Sequence, residues 1–310
     1  KQEDGKDKQN PMHLVDSLLS LGIKVKKVFA PEHGFRGKQD AGETIKDGLD
    51  TKTGLPVISL YGENKKPSAD QLKNIDVVIF DIQDVGARFY TYISSLHYVM
   101  EACAELEIPV ILLDRPNPNG HYIDGPVLEF EHKSFVGMHK VPVVYGMTIG
   151  EYGQMINGEK WLENGIQCDL TVIPLQGYTH KTEYSLPVKS SPNLPNDKSI
   201  NLYPSLCFFE GTNVSVGRGT EMQFQILGNP ELKLKTYNFE FTPKPNEGAK
   251  YPKHNGEICY GYDLRKEKKL DRIELKWLID FYESHKNHSK EKQFFTVFFS
   301  EKRRLFRSES

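Results

Sequence analysis

Only four of the 310 residues are cysteine: Cys103, Cys168, Cys207 and Cys259. Their spacing matches no zinc motif, and they are too sparse for a disulfide scaffold. No apolar run approaches the ~20 residues that a membrane-spanning helix needs. Neither sign of charge is in excess. Lys+Arg is 40 against Asp+Glu 42, a formal net charge of -2. That balance argues against a nucleic-acid partner, because such binders carry a basic excess or stripe. The basic run Lys302, Arg303, Arg304 and Arg307 is short and terminal, and reads as a solvated end. Nucleotide and nucleophile motifs are missing too. No GxGxxG follows an apolar strand, and Gly217-Arg218-Gly219 lacks the Lys-Ser/Thr ending of a P-loop. No serine sits in a GxSxG elbow, and there is no HExxH. Asp81 and Asp84 stand three apart, which breaks the DxD pattern of haloacid-dehalogenase-type phosphatases. The reading that follows therefore calls for no cofactor and no metal.

What is present suits a packed core: 38% hydrophobic and 11% aromatic residues. The length favours two domains. Residues 11–22 read as a short helix stopped at Gly22. Apolar runs at 25–30, 56–60, 76–80 and 109–113 read as strands covered on both faces. A helix is expected between the last two, over 90–106. Such β-α alternation predicts a parallel sheet with crossover helices. From about residue 133 the strands shorten, as at 170–174 and 224–227, and glycine, proline and aromatics interrupt them. Helices are expected at 148–156, with Thr148 and Glu151 as a capping box, and at 273–285. The Pro/Asn-rich stretch 190–201 reads as a loop. The fold expected is α/β: a Rossmann-like parallel-sheet domain over 1–132, then a smaller α+β C-terminal domain over 133–310. The active-site cleft is expected between them.

The chemistry is concentrated where those strands end. Pro31-Glu32-His33-Gly34-Phe35-Arg36-Gly37 follows the first strand. Asp81-Ile82-Gln83-Asp84-Val85-Gly86-Ala87-Arg88-Phe89-Tyr90 follows the third, and Asp114-Arg115-Pro116-Asn117 the fourth. Ligands of open parallel sheets bind beyond the carboxyl ends of the strands. Each piece has a structural alternative. Asp114 could start a turn, Asp81 and Asp84 could cap a helix, and Glu32 with His33 could be a cap beside a surface histidine. Carboxylates gathered at one edge repel, so their convergence favours a site. A second block, Glu210 to Glu221, mixes turn glycines with acid, amide, hydroxyl and guanidinium groups, as a sugar-binding loop does. Its alternative is a glycine-rich hairpin.

Six ordered motifs, PEHGFRG (31–37), FDIQDVGARFYTY (80–92), LLDRPNPNG (112–120), YGMTIGEY (145–152), SPNLP (191–195) and EGTNVSVGRGTE (210–221), resemble the NamZ family of exo-β-N-acetylmuramidases. The resemblance covers roughly residues 11–230. It implies an extracytoplasmic glycosidase that releases terminal β-1,4-linked N-acetylmuramic acid from the non-reducing end of peptidoglycan fragments. Muramyl saccharides would be its partners, and the chain is expected to be a monomer. By motif position Glu32 becomes the general acid. Asp84, Glu210 or Asp81 could supply the second group, or the substrate's own N-acetyl group could attack. Arg36, Arg88, Arg115 and Arg218 are candidate grips for the lactyl carboxylate, Arg88 and Arg218 foremost. Tyr90 and Tyr92 could stack on sugar faces. His33, Gln83, Asp114, Asn117, Asn193, Asn213 and Thr220 complete the expected substrate contacts. Tyr145 stands where many members of the family have His. Two rival readings use the same residues. One is a metal-dependent hydrolase on His33, Asp81, Asp84 and Asp114. The other is a non-catalytic cell-wall binding protein.

Overall fold

A computed structural model describes residues 12–32, 34–35, 47–232, 237, 239–288 and 294–295. His33, Arg36 and the basic run at 302–307, singled out above, lie outside these. Helix α1 (Leu14–Ser20) begins at His13, whose ring accepts the Val15 N–H. Strand β1 (Val28–Ala30) follows, then β2 (Gly48–Leu49) and β3 (Pro56–Ser59). β1 runs parallel to β3, and β2 pairs antiparallel on the far side of β3. The short α2 (Ala69–Leu72) is started by a reciprocal Ser68–Gln71 capping box.

The second sheet is parallel throughout, in the order β4 (Val78–Phe80), β5 (Val110–Leu113), β6 (Leu170–Ile173). Its crossovers are α3 (Tyr92–Glu105) and α4 (Ile149–Gly158). The expected β-α alternation and parallel pairing are thus present. β6 comes from beyond residue 132, so its pairing with β5 carries the α/β unit to at least residue 173. α3 is buried on nearly every side. Leu96, Met100 and Cys103 of α3 share one apolar core with Val110 and Leu112 of β5 and Tyr152 and Ile156 of α4. Gly153 lets α4 lie close to the sheet, since a Cβ there would come 2.6 Å from Leu112.

A different core organises the rest. α5 (Asp197–Leu206) starts inside the stretch expected to be a loop. Asn196 caps it by exchanging bonds with Ser199, and burial of Ile200, Leu202, Tyr203 and Leu206 holds it although Pro204 lies within. An antiparallel sheet in the order β7 (Ile226–Asn229), β9 (Cys259–Asp263), β8 (Phe239–Phe241) and the helix α6 (Lys276–His288) complete this unit. Val85, Ala87 and Tyr90, from the loop between β4 and α3, and Tyr92, the first residue of α3, are buried in this second core beside Tyr203, Phe209 and Phe224. That loop therefore stitches the parallel sheet to the second unit. All four cysteines are buried free thiols. Among the described residues no helix is long and apolar enough to cross a membrane.

Candidate active site

Glu32 lies in the turn that follows β1, closed by a bond from the Gly34 N–H to the Pro31 carbonyl. Its half-buried carboxylate collects donors from two other elements. Tyr61, just past β3, donates its hydroxyl to Oε1 at 3.1 Å. Thr91, the residue before α3, donates to Oε2 at 2.8 Å. The Thr91 hydroxyl makes no capping bond to its own helix and is directed to Glu32 instead. Tyr92 secures the turn from below, donating to the Glu32 carbonyl at 3.2 Å. Parallel pairing of β1 with β3 explains the meeting, because both strands deliver their following loops to the same edge.

Asp84 sits deeper. It is 5% exposed, and its Oδ2 accepts the Gly86 N–H at 2.7 Å and the Tyr145 hydroxyl. Oδ1 is enclosed with no hydrogen-bond partner. Burial pushes this carboxyl up to about 6, against the pull of Tyr145 and the backbone N–H groups. Tyr145 thus anchors Asp84. Gly86 is required here: its φ is +77°, and a Cβ would fall 2.2 Å from the Asn117 amide oxygen.

An aromatic wall joins the two carboxylates. The rings of Tyr90 and Tyr92 meet edge to face at 4.9 Å, and Tyr90 meets Tyr203 at 6.0 Å. Burial raises the Tyr92 phenol, and the charges of Glu32 and Asp84 both raise it further. Burial likewise raises Tyr203, followed by Cys207 and Glu210; Arg218 opposes them and Glu32 adds to them. Glu32, Asp84 and the Glu210–Arg218 pair of the second unit therefore surround one tyrosine cluster. Glu210 accepts from Arg218 Nη2 at 2.6 Å, and the Arg218 guanidinium lies over Phe224. Tyr90 gives its hydroxyl to the Ser190 carbonyl at 2.7 Å.

Other expected site residues have structural work. Asp114 caps α4: Oδ1 accepts the Gly150 N–H at 2.7 Å and the Arg115 N–H at 2.9 Å, and Oδ2 accepts the Thr148 hydroxyl at 3.0 Å. A Cβ at Gly150 would lie 2.6 Å from the Asp114 carboxyl carbon. Asp81 is held by Arg115 through Nε at 2.6 Å. Gln83 ties two strand-end loops, donating to the carbonyls of Asp84 and Pro116. Asn117 donates to the Met147 carbonyl and accepts the Asn119 N–H, and its own N–H goes to Tyr178. Asn193 donates to the Gly248 carbonyl, and Thr220 closes its own turn on Gly217. Asn213 faces away, lining a small crevice with Asn229, Glu231 and His285. Asp81 and Asp114, two members of the possible metal set, thus already have partners. The groups close enough to share an ion, among the described residues, are Glu129, Glu131 and His132 at the surface and Glu101, Glu105 and Glu163. Lys66 already occupies the second, 2.8 Å from Glu101 and 2.7 Å from Glu105.

Sequence reading missed Tyr61, Thr91 and the buried polar spine behind the site. In that spine His139 joins Tyr152 at 3.0 Å and His97 at 2.9 Å, and His97 reaches Glu101 at 3.3 Å. Burial, then the neighbouring His97 and Lys133, hold His139 down at about 2, so its ring stays neutral. Only His97, on a largely apolar stretch of α3, could have signalled this pair.

Fold and site define a two-unit α/β protein with carboxylates gathered where the units meet. Two solved structures share it. A DUF1343 family protein from Bacteroides fragilis NCTC 9343 is similar with a TM-score of 0.83 and 47% identity, covering 93% of this chain and 78% of that one. A second DUF1343 protein of that organism gives 0.76 and 30%, covering 90% and 77%. Residues 3–198 match the family described as exo-beta-N-acetylmuramidase NamZ, N-terminal, and residues 201–305 match its C-terminal counterpart. The chain belongs to the exo-β-N-acetylmuramidase NamZ family. A curated relative, the peptidoglycan beta-N-acetylmuramidase NamZ of Bacillus subtilis (strain 168), is 44% identical over 256 residues, 78% of this chain. The match spans 61% of that relative's length.

Proposed function

We propose that this chain is an exo-acting glycosidase that removes terminal β-1,4-linked N-acetylmuramic acid from the non-reducing end of peptidoglycan fragments, outside the cytoplasm and as a monomer. The observation that carries the reading is the setting of Glu32: a half-buried carboxyl, oriented by two hydroxyl donors, beside a wall of tyrosines. Cleavage of a glycosidic bond needs a proton on the leaving oxygen and a stabilised oxocarbenium-like centre. Glu32 gives the proton. The tyrosine rings support the sugar face. Glu210 offers a carboxylate from the opposite unit, oriented by Arg218. Asp84, enclosed and bonded to Tyr145, acts from behind by fixing the loop that carries Tyr90 and Tyr92.

The test uses two synthetic disaccharides. One has N-acetylmuramic acid β-1,4-linked to N-acetylglucosamine at the reducing end; the other has the order reversed. The reading expects free N-acetylmuramic acid from the first and nothing from the second. Turnover is expected to survive EDTA, since Asp81 and Asp114 are engaged by Arg115 and α4. Binding of the first disaccharide without cleavage would overturn the enzyme reading in favour of a cell-wall binding protein.

A further inference from the structure

Of the arginines named from the sequence, Arg88 is buried and directs Nη1 to the carbonyls of Pro126, at 2.9 Å, and Val141. Arg115 holds Asp81, and Arg218 holds Glu210. The Glu210–Arg218 pair is braced by a segment outside every motif read from the sequence. Glu210 lies in the short helical turn Cys207–Gly211 that follows α5. Carbonyls in and beyond this turn converge on one ammonium. Lys253 Nζ donates to the carbonyls of Thr212 at 2.6 Å, Glu210 at 3.0 Å, Phe209 at 3.2 Å and Val214 at 3.4 Å. An ammonium has three N–H groups, so these four oxygens share them. The neighbouring His254 meets the Asn213 carbonyl through Nε2 at 2.6 Å. Carbonyls at a helix end lack partners within the helix, and a cation is favoured there.

The same segment reaches the other half of the pair. Arg218 stands in a turn closed by a bond from the Thr220 N–H to the Gly217 carbonyl. The Gly219 carbonyl accepts the Lys244 N–H at 2.8 Å, and Asn246 Nδ2 donates to the Thr220 carbonyl at 3.3 Å. Gly219 has a φ of +81°, and a Cβ there would lie 2.7 Å from Pro252, the residue before Lys253. Lys253 thus holds the main chain of Glu210, Arg218 holds its carboxylate at 2.6 Å, and Pro252 packs against the turn that carries Arg218. Both ends of one ion pair are fixed to a single stretch between β8 and β9.

We propose that Lys253 is the positioning residue of Glu210: by gathering the carbonyls of residues 209, 210, 212 and 214, it fixes the turn from which the second unit presents the Glu210 carboxylate to the sugar. The inference rests on the glycosidase reading above and extends it to a residue that touches no substrate. A methionine at position 253 keeps the length and the apolar stem but leaves those carbonyls without their donor. The turn then relaxes, and the carboxylate it carries moves with it.

The experiment measures kcat and KM on N-acetylmuramic acid β-1,4-linked to N-acetylglucosamine. It compares the wild type, Lys253→Met, Lys253→Arg, Glu210→Gln and the double variant Glu210→Gln/Lys253→Met. A misplacement of ~1 Å can cost 10²-fold, so Lys253→Met should lower kcat about 10–100-fold and change KM less than about threefold. Lys253→Arg keeps the charge and donors on a bulkier head and should recover part of the loss. The double variant should be no slower than Glu210→Gln alone, because the lysine acts through the glutamate. Losses that multiply, or a wild-type kcat in Lys253→Met, overturn the proposal. A crystal of Lys253→Met needs no turnover: the Glu210 carboxylate should have moved by ~1 Å or more, and an unmoved one overturns the proposal. If that variant does not fold, a crystal of the wild type with N-acetylmuramic acid decides. The sugar should lie against Glu210 with Lys253 still on the four carbonyls, and a sugar bound out of reach of Glu210 overturns the proposal. A wild type that releases no N-acetylmuramic acid sinks the glycosidase reading, and the Lys253→Met crystal still decides Lys253.

Discussion

Two strand ends of the same α/β unit carry an acidic residue, and they have opposite fates. After β5, Asp114 takes three hydrogen bonds from the start of α4 and the Arg115 backbone. After β1, Glu32 takes hydroxyls from two side chains, Tyr61 and Thr91. The first pattern is what a helix terminus demands, since its opening N–H groups have no partner within the helix. The second holds a carboxyl in place through side chains of two other elements. Position beyond a parallel strand is therefore not enough to assign a role in the site. What separates the two is whether a helix N-terminus draws on the group.

Substitutions can break this contrast in order of expected size. Glu32→Gln keeps the shape but cannot supply a proton, so kcat on a muramyl disaccharide should fall ~10²–10⁴-fold with little change in thermal midpoint. Activity near the wild-type level would move the acid role elsewhere. Asp114→Ala should do the reverse, costing about 2 kcal/mol in urea unfolding by removing the acceptor of the Gly150 N–H and the Thr148 hydroxyl at the start of α4. Its folded fraction should still turn over substrate, and a specific loss of kcat in a stable variant would return Asp114 to the site.

Asp84 sharpens the contrast through pH. Its folded value, about 6, lies above its ordinary 3.8, so the folded chain holds this proton more tightly than the unfolded chain does. The stabilisation is fully present below that ordinary value and is lost as pH rises through 6, a change of ~3 kcal/mol. Asp84→Asn removes the titration, so its stability relative to the wild type should rise between pH 4 and pH 7.5. A flat difference across that range would show that Asp84 is not buried as described. The smallest effects belong to the orienting hydroxyls. Tyr61→Phe and Thr91→Val each remove one bond to Glu32 and should lower kcat about 3–10-fold. No change in either would mean that Glu32 is positioned by its turn alone.

Much of the fold was legible because its signals are local. Continuous apolar runs mark β4 and β5 as strands covered on both faces, and the Thr148–Glu151 box marks the start of α4. α5 was hidden because its cap, Asn196, stands in a stretch that reads as loop and Pro204 breaks the helical pattern. Only burial against Phe209 and Phe224 shows why it forms. The site divides in the same way. Glu32 and Asp84 could be named from their motifs. Tyr61 and Thr91 could not, because each reaches Glu32 across a fold that only the β1–β3 pairing and the α3 packing bring about. Asp114 looked like a site residue for a related reason: the glycine that admits its cap, Gly150, lies in another motif. Arg88 and Arg218 looked equivalent in sequence, and only the structure shows the Glu210 carboxylate beside Arg218.

The most direct test of the account is a crystal structure of Glu32→Gln with an uncleaved muramyl disaccharide. The account predicts the side chain of residue 32 within ~2.6–3.2 Å of the glycosidic oxygen, the terminal sugar against Tyr90 or Tyr92, and Asp114 still on α4. A disaccharide seated with residue 32 out of reach of that oxygen, or with Asp114 turned from α4 to meet it, would contradict it.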